Sequence, residues 1–398
     1  RAAATDLAAA ACRQSSHHAA GQLAGGSDMI VNRGIRHFDP ILVLIACALV
    51  AYGSLLIYSA SLSSHPAIGA GHPLVKQLAF AVLGLCAMAG IAWTDYRVFG
   101  NLATGLYIVA ILMLMGVLVV GSSAYGSTRW FNFAGQQIQA SEIAKILVII
   151  ALARYLADRQ NRMNAPRVFL ISLGMTVLPA LLVLAEPDMG TALVFFAVWL
   201  GMVAMAGAPT RYITILLGLC VACLPFAALI ALNSYQLERF KLWINPNQDP
   251  LGGGFNIIQA KIGIGSGGIF GKGLTHGTQT QLDFLQTSTT DYIFTVLGEE
   301  LGLIGAIVLL ALFTALLFRG IRAATLSRDQ FGRLIATGIV IMILFQVFIN
   351  VAVNIQLVPV TGIPLPFISQ GGSSLVMMFV ALGLLEGIVL RHKRLEFQ

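Results

Sequence analysis

The sequence has very few charged residues for its length. Only 10% of its 398 residues are Asp, Glu, Lys or Arg, whereas 57% are apolar. An average soluble domain carries roughly 25% charged residues, so this composition excludes an ordinary water-soluble domain. Apolar runs of about twenty residues recur along the chain, and each is long enough to cross a bilayer. The composition therefore predicts an all-α polytopic membrane protein.

Several common site patterns are also missing. Cys220 and Cys223 lie inside an apolar run with no second pair, which favours helix packing over a metal or redox site. No Ser-His-Asp set, Walker loop or internal repeat is visible. Residues 1–30 lack the basic start and apolar core of a signal peptide. We expect residues 1–35 to be a disordered tail or linker remnant, and residues 36–398 to form one membrane domain.

About ten apolar runs are candidates for membrane-spanning helices. They cover residues 40–60, 75–94, 102–120, 141–157, 167–185, 189–207, 212–232, 290–318, 334–356 and 373–390. Most basic residues fall in connections on the same side as both ends of the chain, and the positive-inside rule assigns that side to the cytoplasm. The net charge of +7 then reflects topology and attraction to anionic lipid, and not binding to nucleic acid.

A long polar segment, residues 233–290, separates the seventh and eighth runs and is predicted to face outside. Loops of this length are usually functional or disordered. This one carries Trp243, Phe255, Phe270 and Phe284 among its glycines and has no run of like charge. We therefore expect it to be partly ordered.

Asp291 ends this segment at the start of an apolar run. Helical spacing places Thr295, Gly298 and Gly302 on its face, and a glycine-lined face lets another helix approach closely. Asp291 is therefore predicted to point into the bundle, where partial burial would raise its pKa toward the range of a general base. The alternative is that Thr290 or Asp291 only caps the helix.

Further charged residues lie near the ends of the predicted spans. Glu142 and Lys145 share a helix face, so they form either a local ion pair or part of the cavity that contains Asp291. Glu186 and Asp188 border a short turn, where Asp188 either caps the next helix or lines that cavity.

Glu299 lies about 12 Å deeper than Asp291 along the same helix. It is a second cavity candidate, whereas for Glu300 burial against protein donors is the favoured interpretation. Basic residues beside glycine-rich backbone can also clamp a phosphate or pyrophosphate. The basic residues of the outer loops are Arg129, Arg239, Lys241, Lys261 and Lys272.

These motifs resemble the SEDS family (shape, elongation, division and sporulation), with a lean toward its elongation branch. The resemblance covers nearly everything after residue 35. The matching stretches include Arg129-Trp130, Ser141-Glu-x-x-Lys145, Pro187-Asp-x-Gly-Thr191, Asn245-Pro-x-x-Asp-Pro-Leu-Gly252, Gly271-Lys-Gly273, Gly277-Thr-Gln279, Thr290-Asp291, Gly362-Ile-Pro-Leu-Pro-Phe367 and Gly371-Gly-Ser-Ser374. Asp291 matches the family's essential acidic residue, whereas Thr289 stands where the family has His and Thr287 where it has Glu.

The resemblance implies a peptidoglycan glycosyltransferase that polymerises lipid II outside the bacterial cytoplasmic membrane. Donor inversion from an α-linked pyrophosphate to a β1,4 bond needs a base, which we assign to Asp291, by the logic of inverting glycosidases. The supporting cavity residues are Glu142, Lys145, Glu186, Asp188 and Glu299. The predicted pyrophosphate- and substrate-binding residues are Arg129, Trp130, Arg239, Lys241, Lys272 and Gln279, and Lys145 is a further candidate.

The resemblance also implies partners. These are a class B penicillin-binding protein with one membrane span and other membrane proteins of the elongation complex. We expect no organic cofactor, but we expect a divalent cation (Mg²⁺ or Mn²⁺) at the pyrophosphate. Two alternatives stay open from the residues alone: a lipid II flippase or transporter, and a non-catalytic scaffold of the wall-synthesis complex.

Overall fold

The computed structural model describes residues 38–64, 67, 69, 71–124, 127–133, 136–230, 234–285 and 287–392. The predicted tail at residues 1–35 lies outside this part of the chain. A helix covers each of the ten predicted apolar runs. The helices are α1 (Pro40–Ser61), α2 (Pro73–Trp93), α3 (Tyr96–Asn101), α4 (Ala103–Val120), α5 (Ala140–Asp158), α6 (Pro166–Ala185), α7 (Met189–Met205), α8 (Thr210–Ile230), α9 (Ser234–Ile244), α10 (Phe255–Gly267), α11 (Thr278–Gln281), α12 (Ile293–Leu326), α13 (Gln330–Asn354) and α14 (Gly372–Leu390).

The helices have the lengths and composition of a multi-pass membrane protein. Within the described residues, α1, α2, α6, α12, α13 and α14 are long and apolar enough to cross a membrane, and α4, α7 and α8 contain shorter apolar helices. Helix α5 is 19 residues long and carries four charged residues, Glu142, Lys145, Arg154 and Asp158. The number of ten spans stays a prediction.

The prediction that the protein is all-α is wrong in one region. Strands β1 (Ser122–Ala124), β2 (Ser127–Phe133) and β3 (Gln136–Gln139) form a small antiparallel sheet in the order β1-β2-β3. The sequence of β2 is rich in aromatic residues, which suit the pleated surface of a strand. Phe131 pairs with Ile138 across the sheet, and its ring lies beside Gly116 of α4.

The core lies where the long helices pack against one another. Helix α14 runs along α2, α12 lies beside α1 and α13, and α5 lies between α4 and α13. Close approach depends on small residues: a side chain at Gly383 would meet the main-chain oxygen of Met88 at 2.7 Å. This packing brings the starts of α5, α7 and α14 and the end of α13 to the side where the polar segment lies.

The polar segment is folded against α12. Its described residues form α9, a short 3-10 turn at Pro246–Gln248, α10 and α11. The predicted glycine-lined face exists, and α10 is the helix that approaches it, since a side chain at Gly298 would meet Ile264 at 3.1 Å. Helix α12 is interrupted at Gly302, where φ is 64° and ψ is −159°.

Candidate active site

The main chain of Asp291 is held by two buried asparagines of α13. The side-chain amide of Asn354 donates to the Asp291 carbonyl at 2.9 Å, and that of Asn350 donates to the same oxygen at 3.2 Å. Asn350 also donates to the carbonyl of Ile363 at 2.9 Å. These bonds join Asp291, two residues before the start of α12, to α13 and to the loop that follows α13.

That loop fixes the two residues before Asp291 as well. The Ser369 hydroxyl donates to the Thr290 carbonyl at 2.6 Å and accepts from the Leu365 amide at 2.9 Å. The Gln370 amide donates to the Thr289 carbonyl at 2.8 Å. The backbone of residues 289–291 is therefore anchored on two sides before the helix begins.

The capping interpretation of this region is wrong. Helix α12 begins at Ile293 with Tyr292 at its N-cap position and no side-chain capping bond, because the polar segment keeps an irregular turn up to Tyr292. Asp291 is half-buried. A side chain at Gly362, which has a φ of 74°, would lie 3.8 Å from the Asp291 Oδ2 atom. The contact itself would be an ordinary one, so it is the positive φ of Gly362 that favours glycine at this position.

Arg239 contributes positive charge at this site. Its Nη1 atom donates to the Val360 carbonyl at 2.9 Å. Burial raises the pKa of the Tyr292 phenol, which lies just outside the spanning helix, the charge of Asp291 raises it further, and Arg239 opposes both. Arg239 bonds to Val360, two residues before Gly362, which lies beside the Asp291 carboxylate. The same loop therefore contacts both of these predicted site residues.

Glu142 and Lys145 form the predicted local ion pair. Their charged atoms are 2.8 Å apart, and both side chains are 1% exposed. One residue before this helix, the Gln139 amide donates to the Ser373 hydroxyl at 3.3 Å. The pair therefore lies in the first turns of α5, next to the start of α14.

Asp188 is a helix cap and also a contact between elements. It accepts from the amide and hydroxyl of Thr191 at 3.0 and 2.9 Å and from the side chain of Gln139 at 3.3 Å. Glu186, just before it, is fully buried. A side chain at Gly190 would collide with the Thr361–Ile363 loop. The start of α7, where Asp188 lies, thus borders the same loop as Asp291, and the Glu142–Lys145 pair lies near the start of α14, the helix that follows this loop.

Glu299 is engaged by the polar segment. Its carboxylate accepts from Lys272 at 2.8 Å, from the Thr278 hydroxyl at 3.1 Å, and from the amides of Gln279 and Thr280 at 3.0 and 3.2 Å. These bonds give Glu299, Lys272 and Gln279 partners within the protein. Their predicted roles in the cavity and in substrate binding stay predictions. Glu300 accepts from the Ser59 hydroxyl at 2.6 Å, as expected for a structural residue.

The other predicted substrate-binding residues lie in two places. Trp130 is half-buried in β2, and it pairs across the sheet with Gln139, the residue that contacts Asp188. Arg129 is its neighbour in β2, with a side chain outside the described structure. Lys241 is exposed near the end of α9.

Sequence reasoning missed the residues that hold Asp291. Gln346, Asn350 and Asn354 recur at four-residue intervals in an apolar helix, and all three are buried. Polar amides on one face of a membrane helix usually bind another element. That spacing was the available signal, and it points to the face of α13 that contacts residues before α12.

The fold and the site define a polytopic membrane protein whose charged and amide side chains gather around one loop at the ends of its helices. Residues 40–394 match the FtsW, RodA and SpoVE family of cell cycle proteins, and the chain belongs to this family.

Named relatives cover almost the whole chain. The peptidoglycan glycosyltransferase MrdB of Escherichia coli (strain K12) is 38% identical over 363 residues, which cover 90% of this chain and 95% of MrdB. A solved chain from a peptidoglycan synthase complex that coordinates polymerization and crosslinking is 31% identical, with a TM-score of 0.76 and coverage of 89% and 97%. The rod shape determining protein RodA of Thermus thermophilus is 29% identical, with a TM-score of 0.64 and coverage of 89% and 96%.

Proposed function

We propose that this chain is a peptidoglycan glycosyltransferase that polymerises lipid II into β1,4-linked glycan strands during cell elongation. The relatives named above support the reaction class, and MrdB and RodA support the elongation branch. The observation that carries the site assignment is the anchoring of residues 289–291 by α13 and its following loop. Such anchoring holds a catalytic group at a fixed distance from its substrate.

Asp291 acts as the general base in a single displacement. Its carboxylate takes the proton of the acceptor 4-hydroxyl while that oxygen attacks C1 of the donor sugar. The bond from C1 to the pyrophosphate oxygen breaks on the opposite face, and undecaprenyl pyrophosphate leaves with the bonding electrons. One displacement inverts the α-linked donor into a β-linked product, as in the carboxylate-assisted reactions of inverting glycosidases.

Positive charge on the leaving-group side neutralises the pyrophosphate. Arg239 is the cation best supported by the structure, because it bonds to Val360 in the loop whose Gly362 lies beside the Asp291 carboxylate. Arg129, Lys241 and Lys272 remain candidates, as does Lys145 beside Glu142. Among the described residues, no group of three or more His, Cys, Asp or Glu side chains could hold a metal ion. A bound Mg²⁺ or Mn²⁺ ion would add positive charge at the pyrophosphate.

The site faces the outside of the bacterial cytoplasmic membrane, with ten spans and both chain ends in the cytoplasm. The distribution of basic residues supports this orientation. The partner is a class B penicillin-binding protein with one membrane span. The similarity to a chain from a peptidoglycan synthase complex supports this partner. Apolar grooves between helices hold the polyprenyl tails of both substrates.

The test is polymerisation of labelled lipid II by purified protein in detergent. The change Asp291→Asn removes the base and keeps the shape, so glycan ladders should disappear, with a loss of about 10²- to 10⁴-fold. The matched control is Asp283→Asn, since Asp283 is an exposed carboxylate of the same polar segment that accepts from Ser63 at 3.0 Å. The control should retain full activity.

Full polymerisation by Asp291→Asn would refute the base assignment. Two other outcomes would refute the reaction itself. Transfer of labelled lipid across liposomes without ladders would indicate a flippase. No ladder and no transfer, with activation of a partner transpeptidase, would indicate a scaffold.

A further inference from the structure

The interruption of α12 is filled by main chain from the polar segment. Gly302 takes a backbone conformation that is essentially restricted to glycine, and the helical ladder stops there. The amide of Leu303 donates to the Gly268 carbonyl at 3.0 Å, and that of Ile304 donates to the Ile269 carbonyl at 3.1 Å. Residues outside the helix thus replace the helix's own acceptors.

The same replacement occurs on the other side of the break. The carbonyl of Glu299 accepts from the Lys272 amide at 3.0 Å, and that of Glu300 accepts from the Gly273 amide at 2.9 Å. The Lys272 side chain also pairs with the Glu299 carboxylate at 2.8 Å. Four main-chain bonds and one ion pair therefore fix residues 268–273, the re-entrant segment, at a defined height on α12.

The contact with the re-entrant segment lies at one end of the uncharged part of α12, which can lie in the hydrocarbon core of a bilayer. Residues 301–318 contain no charged side chain, and Glu300 and Arg319 stand at the two ends of this stretch. At 1.5 Å per residue the stretch measures about 27 Å, close to the roughly 30 Å of a bilayer core. Ile304 lies in its first turn, so the re-entrant segment reaches the edge of the hydrocarbon.

The outer surface of the re-entrant segment is apolar and continues the exposed surface of α12. Phe270 is 80% exposed and Ile269 is 59% exposed. Leu303 and Ile304, whose amides bond to this segment, are also exposed on α12. A patch of this kind marks an interaction site. Because it is continuous with the exposed flank of a spanning helix, its occupant is lipid.

We propose that residues 268–273 form a re-entrant anchor that inserts Ile269 and Phe270 among the acyl chains of the outer leaflet. Irregular backbone is tolerated at membrane depth only when its polar groups are satisfied by protein, and α12 supplies those partners. Pairing with Glu299 likewise makes the Lys272 charge acceptable there. The proposed membrane orientation decides only which leaflet the anchor enters. The anchor itself does not depend on the glycosyl-transfer reaction.

Photocrosslinking tests the anchor directly. The photoreactive residue p-benzoylphenylalanine is placed at Phe270 in one variant and at Leu251 in another, and purified protein is irradiated in phospholipid nanodiscs. Leu251 is 90% exposed but precedes α10, which runs beside α12 in the same direction, with Gly263 facing Thr295. The length of α10 places Leu251 about 20 Å away from the anchor, on the aqueous side.

Intact mass measurement should show phospholipid adducts several-fold more abundant for the Phe270 variant than for the Leu251 variant. Equal adducts, no lipid adduct at position 270, or a crosslink only to this chain would overturn the proposal. A second pair, Phe270→Trp and Leu251→Trp, gives an independent measurement. Lipids brominated on their acyl chains should quench the fluorescence of the tryptophan added at position 270. Aqueous iodide should quench the fluorescence of the tryptophan added at position 251. The reverse pattern would also overturn the proposal.

Discussion

Two carboxylates near the start of α12 are held in different ways. Glu299 is fully buried, and its carboxylate oxygens accept hydrogen bonds from Lys272, Thr278 and main-chain amides. For Asp291, the bonds from Asn350 and Asn354 go to its main-chain carbonyl. The protein therefore uses the carboxylate of Glu299 as a cross-link and the backbone of Asp291 as an anchor. Anchoring of the backbone on both sides holds a residue in a fixed position, which suits a catalytic group.

The largest expected effect comes from loosening the Asp291 anchor. Asn354 donates to the Asp291 carbonyl and accepts from Thr295 at 2.7 Å, so Asn354→Leu removes both contacts at similar volume. A shift of about 1 Å in a catalytic group can lower the rate about 10²-fold. We expect kcat for lipid II polymerisation to fall by up to that amount while KM changes little.

The control for this change is Gln346→Leu. Gln346 is a buried amide of the same helix face, two turns earlier. The change Gln346→Leu should leave kcat unchanged. An equal loss of kcat in both variants, or a change confined to KM, would show that Asn354 supports folding or binding and does not position Asp291.

The second effect concerns the Glu299 cross-link. Glu299→Gln removes the charge that pairs with Lys272, and a hydrogen bond to a charged group contributes about 1.5–3 kcal/mol. We expect a lower thermal unfolding temperature in detergent and faster proteolysis of the polar segment. The control Glu238→Gln, an exposed glutamate of α9, should change neither. An unfolding temperature like that of the parent, with activity lost, would move Glu299 into the catalytic group and remove the contrast with Asp291.

The sequence predicts where the helices of this fold lie better than it predicts which residues they contact. Apolar runs locate ten helices because burial in lipid demands continuous apolar residues of a fixed length. Charges in an apolar context likewise single out Asp291 and the Glu142–Lys145 pair. The pairing of Glu299 with Lys272 spans 27 residues and depends on how the polar segment folds back. The spacing of Gly302 predicts only close helix packing, because a break in a helix that another segment fills has no local signature in the sequence.

The small sheet and the amides of α13 were missed for different reasons. The strands are short and lie in a loop, where alternation over a few residues carries little information. Asn350 and Asn354 did carry a signal, but their partner is a main-chain carbonyl, which no side-chain pattern reveals. Contacts of this kind follow from tertiary packing, so the sequence indicates Asp291 as a candidate but does not indicate the residues that hold its backbone.

The smallest expected effect comes from removing a lysine that is predicted to bind substrate, in contrast to Lys272, which stabilises the fold. Lys272 pairs with Glu299, whereas Lys241 and Lys261 are both exposed on the polar segment. Lys241→Ala removes a predicted pyrophosphate contact, and an exposed ion pair contributes at most about 1 kcal/mol. We therefore expect a few-fold increase in KM for lipid II that shrinks at high salt, with kcat unchanged. Lys261→Ala serves as the matched control, because it removes the same charge from α10. If both variants raise KM equally, the polar segment attracts lipid II by its overall charge and Lys241 has no specific role.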